Sequence, residues 1–243
     1  MKKFIALIID SDAEPIYAVG REIWRRNAKK HNIEIYFLRA DEKIADDSIR
    51  VEGDTIHSKW IDNFSDRLID KTLKGFKYCL EKTDCQYILR TNLSSFFDIP
   101  LFKTYLESIA ATGIYAGPFE YFPLTLPNGI SGNLRFCSGA GYLLSRDIAL
   151  LALERQKEIS SSFLDDVWLA ITLMDIQRLP WDRCDITNIE NASNQTGLSV
   201  GSEIRMARKE KKFHYRINNS CKSIPREQLD KVGWDEIQKL GFF

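Results

Sequence analysis

The chain is predicted to fold as α/β: one domain over residues 1–243, built on a central, twisted, mostly parallel sheet flanked by helices. Three observations predict this. The N-terminal segment reads strand, helix, strand, an order that favours parallel pairing. Short apolar runs bounded by polar turns then alternate with longer amphipathic segments. No internal repeat and no separating linker divides the 243 residues, a length that one large α/β domain fills.

The elements follow in order. Phe4 to Ile9 is a buried strand, closed by Asp10-Ser11-Asp12. Pro15 opens a helix with Ile16, Val19, Ile23 and Trp24 on its apolar face. Ile33 to Leu38 is the second strand, and Ala40 to Asp54 is a polar, acidic stretch. A helix over Asp62 to Glu81 carries Ile61, Phe64, Leu68, Leu73, Phe76 and Leu80 as its core stripe. Tyr87 to Leu89 is a short buried strand, Pro100 starts a helix through Ser108, and Ile114 to Ala116 is strand-like. Two prolines and two glycines make Tyr121 to Gly132 a loop, a lid or acceptor-facing segment. Asn133 to Leu144 is strand, turn, strand. Ser145 caps a helix through Glu158, and Asp165 or Asp166 begins another that ends near Pro180. After Asp185 an Asn-, Ser- and Gly-rich loop leads to the strand Lys211 to Ile217, and Gln228 to Leu240 is a closing helix.

Lys+Arg and Asp+Glu are 34 each, so nothing signals a polyanion, and no nucleic-acid partner is expected. The five cysteines (Cys79, Cys85, Cys137, Cys184, Cys221) are scattered, odd in number and lack C-x-x-C spacing. That argues against a disulfide framework or structural zinc and for a reducing compartment. The start imitates a signal peptide, but its apolar run is only Phe4 to Ile9 and ends at Asp10 with no small-residue cleavage site. No apolar stretch has membrane-spanning length, so no transmembrane segment is expected.

Four blocks carry the functional signal. Trp60 to Leu80 reads WIDNFSDRLIDKTLKGFKYCL. Tyr87-Ile-Leu-Arg-Thr-Asn-Leu-Ser-Ser-Phe-Phe97 ends an apolar run in a polar turn. Phe136-Cys-Ser-Gly-Ala-Gly-Tyr-Leu-Leu-Ser145 and Phe163-Leu-Asp-Asp-Val-Trp-Leu169 follow. Their order and spacing resemble the inverting GT-A-fold glycosyltransferases of the β-1,3-galactosyltransferase/N-acetylglucosaminyltransferase family. The resemblance runs from about Trp60 to Leu173. It implies a GT-A-like domain, a hexosyltransferase activity in polysaccharide biosynthesis, a nucleotide-diphosphate sugar donor and a glycan or other hydroxyl acceptor. Golgi members of that family carry a membrane anchor. The lack of one here points to a cytoplasmic enzyme of microbial or viral origin.

The chain departs from the family at one place. Asn92-Leu93-Ser94 stands where the family has its metal-binding Asp-x-Asp. Neutral Asn and Ser are poor ligands for a hard cation, so no cofactor is expected and a divalent metal is not favoured. Asn92 and Ser94 remain able to hydrogen-bond donor hydroxyls or phosphate oxygens; the other reading is a polar turn without ligand. Arg90 precedes them. His214 and Arg216 alternate onto one strand face. Arg90, His214 and Arg216 together are candidates to offset charge on the leaving diphosphate. For His214 and Arg216 the plain alternative is a basic surface edge.

By the resemblance, Asp166 matches the general base and Asp165 the acidic residue before it. Physically one carboxylate suits inverting transfer, although an Asp at a helix start is also a common cap. Gly139, Gly141 and Tyr142 match a segment that approaches the sugar, or else form a tight turn. Trp168 is a candidate sugar-stacking side chain. Asp10 and Asp12 line the donor edge at the carboxyl end of the sheet, or cap the next helix. They also open a rival reading as a haloacid-dehalogenase-type phosphatase, with Asp10 as nucleophile and Asp12 as acid/base. A non-catalytic nucleotide-sugar or glycan binder is the second rival.

Overall fold

The computed structural model describes residues 2–11, 16–45, 48–59, 68–125, 131–158, 163–186, 200–217 and 226–241. The chain opens with β1 (Phe4–Ile9), α1 (Tyr17–His31) and β2 (Glu34–Ala40). β1 and β2 pair in parallel, Ile5 opposite Glu34 and Ile9 opposite Leu38. Parallel neighbours need a crossover, and α1 is that crossover. It buries Gly20, Ile23, Trp24, Asn27 and Ala28, the i, i+3, i+4, i+7, i+8 stripe of a helix on a sheet. Val19, expected on that face, lies one residue off the stripe and is exposed.

The stretch after Ala40 is not merely polar. It contains β3 (Ile49–Glu52) and leads into β4 (Thr55–Ser58), joined through Gly53 at φ +60°. β3 is a charged edge strand, which hides its alternation in the sequence. α2 (Leu68–Lys82) covers the C-terminal part of the expected helix, and Ile61 and Phe64 lie outside the described residues. β5 (Tyr87–Asn92) runs three residues further than expected, pairing with β1 along its whole length.

β6 (Ser95–Phe97) and α3 (Ile99–Ser108) follow. Asp98 caps α3, accepting the Leu101 N–H at 3.3 Å, and its other oxygen pairs with Arg208 Nε at 2.9 Å. Asp98→Ala is expected to cost about 1–2 kcal/mol. A urea midpoint equal to wild type would contradict that.

β7 (Tyr115–Gly117) precedes a hairpin of β8 (Phe119–Thr125) and β9 (Ser131–Cys137). Here the expected loop over Tyr121 to Gly132 is corrected. Pro123 sits in a two-stranded ribbon, where a missing N–H is tolerated at an open edge. β10 (Gly141–Ser145) and α4 (Arg146–Glu154) come next. Ser145 occupies the cap position of α4 but makes no capping bond; its hydroxyl instead accepts the Ile114 N–H at 2.9 Å.

α5 (Asp165–Thr172) ends earlier than expected, because Arg178–Pro180 forms β11, parallel to β7. A residue before proline favours extended backbone. β12 (Arg183–Ile186), α6 (Val200–Lys209), β13 (His214–Ile217) and α7 (Arg226–Lys239) complete the chain. α6 corrects the loop expected after Asp185; it buries Ile204 and Ala207, three residues apart on one face.

The main sheet has eight strands in the order β11-β7-β10-β5-β1-β2-β4-β3. Side chains alternate between its two faces. On one, Ile5, Leu7, Ile88, Tyr142 and Leu144 pack with Leu73 and Phe76 of α2, Ile148 of α4 and Trp168 of α5. On the other, Phe4, Ala6, Ile8, Leu89 and Leu143 pack with Trp24 of α1 and Phe102 of α3. A second sheet, β12-β13-β6, and the β8-β9 ribbon flank the carboxyl ends of β1 and β5.

Candidate functional site

Strand register brings the candidate residues to one edge of the sheet. Ile9 faces Asn92, so Asp10 and the Asn92 turn are neighbours across β1 and β5. Gly141 faces Thr91, which sets the Ser138–Gly141 turn beside them. Carboxyl ends of parallel strands are where open α/β sheets bind ligands.

Asp166 lies at the start of α5 against that turn. Its Oδ2 accepts the Gly139 N–H at 2.6 Å and its Oδ1 accepts the Val167 N–H at 2.8 Å. Burial, and then the Asp165 charge beside it, push its carboxyl up to about 6; Arg90 and the two N–H groups pull the other way. Gly139 has no room for a side chain: a Cβ there would stand 2.8 Å from Asp166 Oδ2 and 3.0 Å from an Arg90 nitrogen.

Asp165 is more deeply buried. Its Oδ2 receives Arg90 Nη2 at 2.6 Å and the Thr72 hydroxyl at 2.9 Å. Arg90 is buried too, donates from Nη1 to the Gly139 carbonyl and lies 5.5 Å from the Tyr142 ring centre. The Arg90 expected on donor phosphate is therefore turned inward, onto carboxylate and carbonyl.

Asn92 and Ser94 form a local Asx turn. Asn92 Oδ1 accepts the Ser94 N–H at 3.1 Å and the Ser94 hydroxyl at 3.0 Å, and both residues stay half-exposed. These residues do not fit a divalent cation: they carry no charge, and the one carbonyl oxygen is already engaged twice. Among the described residues no group of three His, Cys, Asp or Glu side chains is placed to hold a metal.

Asp10 is 1% exposed. Its Oδ1 accepts from Arg21 at 2.7 Å, Arg39 Nε lies 3.6 Å from Oδ2, and Lys71 Nζ reaches its main-chain oxygen at 3.3 Å. A carboxylate gripped by two guanidinium groups ties α1 and β2 together and is poorly disposed to be a phosphatase nucleophile. Asp12 lies outside the described residues.

His214 is fully buried. It stacks on Phe97 with ring centres 4.3 Å apart, and its Nδ1 accepts the Trp181 indole N–H at 3.1 Å. Burial, then the charges of Arg183 and Arg216, hold its pKa well below the usual histidine value. It is neutral, so it is no counter-charge for a diphosphate. Gly141 packs in the same place: a Cβ there would stand 2.8 Å from Phe97 Cζ and 2.9 Å from His214 Cε1. Tyr142 and Trp168 are core residues, at 0% and 2% exposure, and present no face to a sugar. Strand alternation turns Tyr142 of β10, and helical periodicity turns Trp168 of α5, into the core between the sheet and its helices.

Arg216 Nη1 lies 3.6 Å from Glu120 Oε1 on β8. Arg183, one strand over, donates to Glu120 Oε1 from both terminal nitrogens at 3.2 Å and to the Ser138 hydroxyl at 3.1 Å, and pairs with Asp185 at 2.8 Å. Sequence reasoning missed Arg183, Glu120, Thr72 and Lys71. The alternation in Arg183-Cys-Asp-Ile186 marks a strand face, but its position beside Arg216 follows only from the β12–β13 pairing.

No helix among the described residues is long and apolar enough to cross a membrane. No family model matches the chain, and no curated protein matches it. Solved structures do. A glycosyltransferase involved in glycosylation of the major capsid of PBCV-1 is 11% identical, covers 94% of this chain and 97% of its own, and superposes with a TM-score of 0.50. The galactosyltransferase LgtC, solved with donor and acceptor sugar analogues, is 11% identical over 96% of this chain and 95% of its own, TM-score 0.45. The catalytic domain of Drosophila β1,4-galactosyltransferase 7, solved with xylobiose, is 12% identical over 95% and 80%, TM-score 0.44. Identities of this size carry no residue roles across. The mixed sheet and its flanking helices are similar to those of the GT-A glycosyltransferases.

Proposed function

We propose that the chain is an inverting glycosyltransferase that moves a sugar from a nucleotide-diphosphate donor to a hydroxyl acceptor, with Asp166 as general base and without a metal. One observation carries this reading. Asp166 is a carboxylate pinned beside the carboxyl ends of β1 and β5 in a GT-A-like sheet, with its pKa raised to about 6. A base works best when its pKa approaches the working pH.

The step balances as a single displacement. The acceptor O–H gives its proton to Asp166. The oxygen forms a bond to the anomeric carbon as the bond from that carbon to the diphosphate breaks. The electron pair leaves with the nucleoside diphosphate. Arg216, partly exposed, supplies positive charge near the turn in place of the inward Arg90 and the neutral His214, while Arg183 is held beside it on Glu120 and Asp185. Asn92 and Ser94 offer hydrogen bonds to the donor. A microbial or viral surface glycan is the natural class of product.

A thermal-shift screen against UDP, GDP, CMP, dTDP and their sugars, with Mn²⁺ or with EDTA, tests the reading. One nucleotide is expected to raise the melting temperature and to do so equally in EDTA; at a hundred times Kd the stabilisation is about 2.7 kcal/mol. A shift confined to Mn²⁺ would remove metal independence. No shift with any nucleotide would remove the donor assignment.

A further inference from the structure

Asp165 and Asp166 are consecutive carboxylates, 1% and 8% exposed. Two adjacent anions in a dry setting do not both stay ionised unless a cation is close. Arg90 of β5 is the cation that touches this pair among the described residues, through Nη2 on Asp165 at 2.6 Å. Its Nη1 donates to the Gly139 carbonyl, and the N–H of the same Gly139 donates to Asp166 Oδ2 at 2.6 Å. One guanidinium thus holds the carboxylate before the base and also the residue that aims the base.

We infer that Arg90 is a positioning residue for transfer: it keeps Asp166 ionised and oriented, through Asp165 on one side and the Gly139 turn on the other. The inference rests on the transferase reading and deepens it.

The other groups around Asp166 do not substitute for it. Tyr142 of β10, Tyr115 of β7 and Cys137 of β9 sense the Asp166 charge, but burial pushes all three above their usual values, and they stay uncharged at neutral pH. Arg178 lies 5.5 Å from the Tyr115 ring centre and donates to the Ala170 carbonyl at 2.6 Å. Among the described residues α2 presents the Thr72 hydroxyl to Asp165, and its buried cation, Lys71, reaches the Asp10 carbonyl at 3.3 Å. With Arg90 neutralised, the proton on Asp166 is therefore held to higher pH.

The test follows the Asp166 carboxyl carbon by ¹³C NMR as pH is varied in the unliganded protein, with the signal assigned by its loss in D166N. R90Q is expected to raise the titration midpoint by about one unit or more. D165N is expected to lower it, because a like charge is removed and Arg90 remains. R90K keeps the charge and leaves the midpoint near wild type, with kcat reduced by the lost bond to Gly139. In transfer assays the acidic limb for R90Q moves up with the midpoint, about tenfold lower kcat per unit at pH below both values, and activity returns in alkaline buffer. A lesion that only loosened the fold would lower kcat at every pH.

An unmoved midpoint in folded R90Q overturns the inference. If R90Q does not fold, the pair R90K and D165N decides: a D165N midpoint that fails to fall, or an R90K midpoint that rises as far as one unit, overturns it. The titration needs no turnover. Absence of transfer with every donor would sink the transferase reading while the midpoints still reported on Arg90.

Discussion

Asp166→Asn is expected to lower kcat for sugar transfer by about 10²–10⁴-fold while donor affinity is unchanged. The amide keeps the size of the carboxylate but accepts no proton from the acceptor hydroxyl. Wild-type activity is expected to fall as pH drops through about 6, the value to which burial and Asp165 lift this group. Stability carries the same signature with a definite sign. The folded-state pKa is raised, so Asp166 favours the native state at pH below its unfolded value, and that contribution is lost as pH rises to about 6. Above that, the buried ionised carboxylate works against folding, and the amide does not. The melting temperature of D166N relative to wild type should therefore improve from pH 4 to pH 7. A constant gap, or an activity profile flat through pH 6, would show that Asp166 is an ordinary helix-start carboxylate.

Phe97→Ala is expected to cost about 3–5 kcal/mol, the range for removing a fully buried aromatic side chain. Phe97 is 0% exposed and lies on β6, where the small sheet meets the main one. Its ring meets Trp24 of α1, Phe102 of α3, Trp181, Phe213 and His214, with centres 4.3 to 6.4 Å away. Truncation leaves a void under the Gly141 turn, whose backbone packs on the Phe97 ring edge. Against a total stability of roughly 5–15 kcal/mol, that loss is large. The urea midpoint should drop by more than about 1 M. Tyr121→Ala is the control: at 67% exposure on the ribbon it should change stability by less than about 0.5 kcal/mol. Similar midpoints for the two variants would refute the packing account.

Much of the fold was readable because the elements announce themselves locally. β1, β2 and β10 are apolar runs between turn residues, and α1, α3 and α7 repeat apolar residues at helical spacing. β3 and β11 were not readable, because edge strands are short and carry Arg50, Glu52 and Pro180 in place of an apolar alternation. β8 was hidden by the prolines and glycines around it, which signal a loop in any chain whose partner strand is unknown. The site divides in the same way. Arg90, Asn92, Gly139 and Asp166 sit in recognisable blocks, and these four do share contacts. Which way a side chain points is another matter. Arg90 turns to Asp165, Tyr142 and Trp168 turn into the core, and His214 loses its charge to burial. None of these follows from residue type. Arg183 and Glu120 are 63 residues apart and meet only once β12, β13 and β8 are assembled.

The strand order has a consequence for the chain as it is made. β1 is central, between β2 and β5, yet it emerges before either neighbour. Its β2 side can pair soon after synthesis, but its other side waits for Tyr87–Asn92, 83 residues later, counting from Ile9 to Asn92. At about 5–20 residues per second, that wait is roughly 4–17 seconds on the ribosome. During it the edge Phe-Ile-Ala-Leu-Ile-Ile of β1 stands open, apolar and without a charge or proline. Nascent chains stalled before Asn92 should therefore recruit holdase chaperones, and chains extended past Ser145, where β10 can close the far side of β5, should release them.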